Sequence, residues 1–160
     1  MQQIQIRQIF ISPGHRFIGH EAGKPGIHEM HPVREVECVA GLGLRGDRFF
    51  DFKEDYKGQV TFYSAEVFEA VCDHVGAQDC PPWAMRRNVM TKGIDLNDLI
   101  GKEFEIQGIR FFGTQECAPC HWMDWAIGQG AKEFLKDRGG LRARILSSGT
   151  LRCGEARLVA

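Results

Sequence analysis

Hydrophobic residues in this 160-residue chain recur mostly at every second position, the spacing that turns one face of a β-strand toward a core. Ile4, Ile6, Ile9 and Ile11 follow that period with one slip near Gln8, which predicts an opening strand with an irregularity there. From Ser12 to Pro32 the pattern dissolves into Gly, Pro and His and reads as a long loop. Val33, Val36 and Val39 predict a second strand over 33–39, and Gln59 to Tyr63 a short β-like run. Between them Gly41-Leu42-Gly43-Leu44-Arg45-Gly46-Asp47-Arg48 reads as a Gly-rich turn that ends in opposed charges.

A helical period then replaces the alternation. Val67, Phe68, Val71, Cys72 and Val75 make one apolar face, with Ser64 as N-cap, Glu66 in the first turn and Gly76 placed to end the helix in the left-handed conformation. Arg87 to Thr91 reads as a strand and Asp95 to Gly101 as a turn or short helix. Phe104 and Ile106, then Ile109 and Phe111, make a hairpin over 103–112 that bends at Gly108. A second helix is expected from about Asp124 to Lys136, and two last strands, 142–146 and 151–159, flank Ser148-Gly149. Many short strands with two or three helices predict an α+β, mainly β, barrel-like fold. The length suits a single domain over 1–160, with a core that needs no disulfide or metal to hold it.

Composition changes this picture little. A net charge of −1 gives no general pull toward nucleic acid or membrane, so any anion site must be a local cluster. No stretch approaches the ~20 apolar residues of a membrane helix. Residues 1–7 lack the basic and apolar regions of a signal peptide, and six cysteines without one predict a reducing, cytoplasmic setting. Cys38, Cys72 and Cys153 read as small apolar fillers. His15, His20, His28 and His31 crowd one loop without regular ligand spacing and read as a polar loop.

Candidate chemistry gathers at Cys117-Ala118-Pro119-Cys120. Two thiols at this spacing serve redox exchange, metal binding, haem attachment or sulfur carriage. With His121 the run matches the c-type haem signature, but covalent haem attachment belongs outside the cytosol, and no haem is predicted. A thioredoxin-type dithiol usually follows the first strand of a βαβ unit, whereas this pair follows a β-hairpin. Zinc would need a second ligand pair, and Cys72 with His74, or Cys80, would have to converge by folding alone. The residues themselves leave redox, metal and sulfur-carrier uses open.

Four segments, in order, resemble the MOSC domain, the family named after the C-terminal domain of molybdenum-cofactor sulfurases. They are Gly43-Leu44-Arg45-Gly46-Asp47-Arg48, the run from Arg86-Arg87-Asn88 through Thr91 to Leu96, Gly113-Thr114-Gln115-Glu116-Cys117-Ala118-Pro119-Cys120, and Gly139-Gly140-Leu141-Arg142 through Gly149. The resemblance covers about residues 35–159. It implies a β-barrel-like fold with a cleft whose constant cysteine, Cys120 here, carries sulfur or ligates molybdenum, while Cys117 is variable in relatives. It also implies the molybdenum cofactor (molybdopterin) as ligand, with Gly46, Asp47, Arg48, Arg86, Arg87, Asn88 and Thr91 as cofactor-binding candidates.

Elementary chemistry agrees with those roles. Thiolate is the nucleophile and the soft metal ligand, Arg forks onto phosphate, and Asn offers both donor and acceptor to a pterin edge. Gly43 and Gly46 would let backbone N–H groups approach an anion. The expected function is sulfur carriage or transfer through Cys120, with a molybdenum-dependent reductase of N-hydroxylated compounds or a non-catalytic cofactor chaperone as alternatives. The expected partners are a cysteine-desulfurase-like sulfur donor, a molybdoenzyme acceptor, or both. No lysine sits in a Schiff-base setting, so no pyridoxal phosphate site is predicted.

Overall fold

A computed structural model describes residues 1–13 and 30–160. Its strands are β1 (Gln2–Ile11), β2 (His31–Val33), β3 (Glu35–Val39), β4 (Gly43–Leu44), β5 (Val60–Ser64), β6 (Val89–Lys92), β7 (Glu103–Ile106), β8 (Ile109–Glu116), β9 (Leu141–Ile145), β10 (Gly149–Arg152) and β11 (Gly154–Val159). The helices are α1 (Ala65–Val75), α2 (His121–Ala126) and α3 (Ala131–Phe134), with 3-10 turns at Pro82–Met85 and Leu96–Leu99. The sheet runs β11-β7-β8-β9-β5-β6-β1-β2, and pairing of β11 with β1 closes seven of these strands into a barrel. Only β5 and β6 pair in parallel. A small sheet, β10-β3-β4, lies beside it. The mainly β, barrel-like fold with three short helices is as the hydrophobic pattern predicts.

Alternation sorts the barrel wall into two cores. Ile4, Ile6, Ile9, Phe62, Val89, Phe111, Leu141 and Ala143 point inward and fill the barrel. Their outward neighbours Phe10, Tyr63 and Met90 pack instead against Phe68 and Val71 of α1, Trp122 and Met123 of α2, and Leu135. β5 is therefore buried on both faces, with Val60 and Phe62 toward the barrel interior and Tyr63 toward the helices. Ser64 Oγ accepts the Val67 N–H and Gly76 closes α1 at φ 73°, as the caps predict.

Several boundaries differ from the sequence reading. The slip near Gln8 is a register shift between Ile6 and Gln8 against β6. The strand over 33–39 is two strands that turn at Arg34, and the last strand breaks at Cys153 because β10 joins the small sheet while β11 joins the barrel. The single helix expected over 124–136 is α2 and α3. Gly128 and Gly130 interrupt it, Gly130 at φ 96°, and the Asp124 carboxylate accepts the Lys132 N–H at 2.8 Å in the first turn of α3. His31 opens β2 exposed, whereas His15, His20 and His28 lie outside the described residues.

Candidate functional site

Where β8 runs out at Glu116 the chain leaves the barrel, and its path is pinned at Cys117. The Cys117 N–H donates to Gly140 O at 2.8 Å, and its carbonyl accepts from Arg87 Nη2 at 3.0 Å. The same guanidinium donates to Ala118 O (3.2 Å), Gly139 O (3.2 Å) and Met85 O (3.1 Å). One buried arginine thus ties together three rim segments. Pro119 then turns the chain so that Cys120 stands immediately before α2.

Cys117 and Cys120 border one cavity of about 250 Å³, shared with Arg48, Arg86, Arg87, Arg142, Tyr56, Thr61 and Trp122. Strand register explains part of this lining. Thr61 and Arg142 are paired residues of β5 and β9, and both face away from the apolar barrel interior that receives Val60, Phe62, Leu141 and Ala143. Trp122 donates Nε1–H to Ala84 O at 2.6 Å, so its ring is fixed as one wall, with the Arg86 guanidinium 5.9 Å from its centre. Arg86 itself sits in the left-handed region at φ 58°, a conformation that costs a non-glycine residue ~1 kcal/mol or more. Tyr56 is stacked on Phe49, and the Arg48 guanidinium lies 4.8 Å over the Phe49 ring.

The electrostatics centre on Cys117 rather than Cys120. The Arg142 guanidinium and the Cys117 thiol line the cavity together. Burial alone would lower the Arg142 pKa, but Cys117 and Tyr56 more than reverse this and raise it. Arg48 is depressed, first by burial, although Asp47 and Cys117 pull the other way. The Tyr56 phenol is raised by burial despite the neighbouring Arg142 and Arg48. Arg48 is only 6% exposed through its side chain, and its Nε has no hydrogen-bond partner among the described residues. Its other nitrogens donate to Arg86 O (3.3 Å), Asp47 Oδ1 (3.3 Å) and Met30 Sδ (3.5 Å).

The profile of the MOSC domain family matches residues 45–156. The chain belongs to the MOSC domain family. Among solved structures, the YuaD protein from Bacillus subtilis superposes with a TM-score of 0.75 at 14% identity, over 98% of this chain and 95% of that one. YiiM from Geobacillus stearothermophilus gives a TM-score of 0.69 at 18% identity, over 98% and 75% of the two chains. YiiM from Escherichia coli gives 0.61 at 17% identity, over 100% and 70%. At these identities the likeness is one of fold. No curated protein matches the chain.

The MOSC scaffold separates the predicted site residues into three groups. Arg48, Arg86, Arg87 and Cys120 meet at the cavity. Gly46 and Asp47 stand behind it: Gly46 turns the chain at φ 89°, and buried Asp47 accepts from the N–H groups of Ser12 (3.0 Å) and Phe49 (3.3 Å) as well as from Arg48. Neither Gly43 nor Gly46 lines the cavity. Asn88 and Thr91 belong to the barrel wall. Asn88 Oδ1 accepts from Thr61 N–H and Oγ–H, and its Nδ2 donates to Phe10 O, completing the ladder where β5 and β6 begin to pair. Thr91 Oγ1 donates to Tyr63 O.

Arg142, Tyr56 and the full involvement of Cys117 escape a motif reading. Arg142 stood in the quoted Gly139-Gly140-Leu141-Arg142 segment, but only strand register reveals that it faces the thiols. Neither Cys72, His74 nor Cys80 lines the cavity of Cys117 and Cys120; Cys72 and Cys80 pack against the helical core, and burial pushes the Cys80 thiol up to about 12. Among the described residues no three His, Cys, Asp or Glu side chains gather as a metal site. No described helix is long and apolar enough to cross a membrane.

Proposed function

We propose that this MOSC protein carries sulfur as a persulfide on Cys120 and works with the molybdenum cofactor. One observation carries the reading: a partly exposed thiol, open to a donor, borders a cavity walled by four arginines, which suits an anionic ligand. The Cys120 thiolate attacks the outer sulfur of a donor persulfide. The donor's S–S bond breaks, its thiolate leaves, and Cys120 bears the transferred sulfur with no net oxidation. A cysteine-desulfurase-like protein is the proposed donor and a molybdoenzyme the proposed acceptor.

The cofactor's chemistry suits the donor set at one end. Arg48, whose Nε has no partner among the described residues, and Arg142 would hold an oxyanion, and Cys120 would offer the metal a single soft ligand. A volume of about 250 Å³ sits just under the ~300–1,000 Å³ usual for ligand pockets, so the cavity takes one end of such a molecule rather than all of it. When bound, the cofactor supplies a molybdenum centre whose terminal oxygen or sulfur can be exchanged.

Incubation with a low-molecular-weight persulfide followed by mass spectrometry is the direct test. A mass increase of one sulfur atom, mapped to the peptide that holds Cys120 and lost in Cys120→Ser, is the expected result. Equal loading of the Cys120→Ser protein would sink the reading.

A further inference from the structure

Two thiols face this cavity with unequal exposure and unequal electrostatics. Cys120 is partly exposed, whereas Cys117 is only 4% exposed, with both backbone groups tied down. Cys120 is therefore the more accessible of the two thiols to a protein donor. The cationic groups have the opposite bias: Arg142 and Arg48 line the cavity with Cys117, which raises the Arg142 pKa and offsets part of the burial that depresses Arg48. Among the described residues the buried Arg48 Nε has no hydrogen-bond partner.

From this arrangement we infer that Cys117 is a second sulfur carrier, which takes the sulfane sulfur from Cys120 and holds it beside Arg142 and Arg48. The inference rests on the persulfide reading of Cys120. In the transfer, the Cys117 thiolate attacks the outer sulfur of the Cys120 persulfide. A new S–S bond forms at Cys117, the old one breaks, and Cys120 departs as a thiolate that takes up a proton. One neutral sulfur atom changes owner, nothing is oxidised or reduced, and no co-reactant is needed. The driving force is placement: the persulfide anion moves from the rim to a site beside the half-buried Arg142 and the largely buried Arg48 side chain, which are placed to give it charge-assisted hydrogen bonds. Cys120 is then free to be loaded again, or to meet the acceptor.

The pathway is readable in the wild-type protein, without relying on variants of a buried residue. Glutathione persulfide is the loading probe; samples are quenched with an alkylating reagent at set times, and peptide fragmentation between Cys117 and Cys120 assigns the extra sulfur. The expected course is sulfur on Cys120 first and on Cys117 later. In Cys120→Ser, loading of Cys117 should slow by at least about tenfold, because its own thiol is shielded. Arg142→Met should shift the final partition back toward Cys120, and Arg142→Lys should restore part of it, a change that a purely structural arginine would not produce. Sulfur that stays on Cys120 throughout overturns the relay and leaves the carrier reading intact. Sulfur on neither thiol overturns both. Equally fast loading of Cys117 in Cys120→Ser overturns the order of transfer.

Discussion

Arg87→Met keeps most of the aliphatic stem and removes a buried guanidinium that donates to four backbone carbonyls, on Met85, Cys117, Ala118 and Gly139. Hydrogen bonds to a charged group contribute ~1.5–3 kcal/mol each, but these four share one donor group and will not add. The appropriate scale is the loss on breaking a buried charged network, about 3–5 kcal/mol. Against a total stability of ~5–15 kcal/mol that is a large fraction. With a urea slope of about 2 kcal/mol per molar, the unfolding midpoint should fall by about 1.5–2.5 M.

A second readout separates a clamp from a ligand contact. Because Arg87 holds the Cys117 and Ala118 carbonyls, its loss should also speed alkylation of the otherwise shielded Cys117 in the folded protein. Arg87→Lys keeps the charge but offers three donors from one point, which cannot span four separated carbonyls. It should therefore lose about half of the stability that Met loses. A midpoint within error of wild type in Arg87→Met, together with unchanged Cys117 protection, would refute the reasoning and return Arg87 to the pool of ligand-binding cations.

Two further perturbations test the scaffold. Gly113→Ala would drive a Cβ into the Leu99 carbonyl, far inside the 3.0 Å that real Cβ contacts respect, so overpacking should cost ~1–3 kcal/mol, and a urea midpoint equal to wild type would contradict this. Burial in the barrel core pushes the Cys38 thiol from 9.0 up to about 12, so the folded state holds that proton more tightly than the unfolded chain. That contribution is whole below about pH 9 and is lost as pH rises toward 12, by up to about 1.4 kcal/mol per unit. Midpoints measured from pH 8 to 10.5 should fall less steeply in Cys38→Ala than in wild type, and parallel slopes would exclude Cys38 as the cause.

Local signals were read well from the sequence. Ser64 and Gly76 bound α1, Gly108 bends the 103–112 hairpin with Gln107 beside it at positive φ, and the slip near Gln8 is a true register shift. What escaped depends on where a strand goes after it bends. Nothing local at Cys153 says that the chain changes sheets, and the helical period across Ile127–Gly130 does not say that Asp124 will cap a new helix. The site shows the same limit. Asn88 carries polar atoms suited to a pterin edge, yet Thr61 of β5 and the Phe10 carbonyl of β1 engage its amide oxygen and nitrogen. A polar residue in a motif looks alike whether it serves a ligand or completes a backbone ladder.

The chemistry of the cavity follows from which donors the fold leaves over. Arg87 is consumed by carbonyls, Asp47 by two N–H groups and Arg48, and Asn88 by the barrel wall. Among the described residues Arg48 has no partner for its Nε although its side chain is only 6% exposed, and Arg142 faces the cavity beside the thiols. A buried cation without full compensation is costly unless something anionic completes it. Among the cavity's own lining the groups able to become that anion are the two thiols and the Tyr56 phenol, and burial raises the phenol. The two thiols are therefore the lining groups best placed to complement Arg48 and Arg142, which is the surrounding that the proposed sulfur carriage needs.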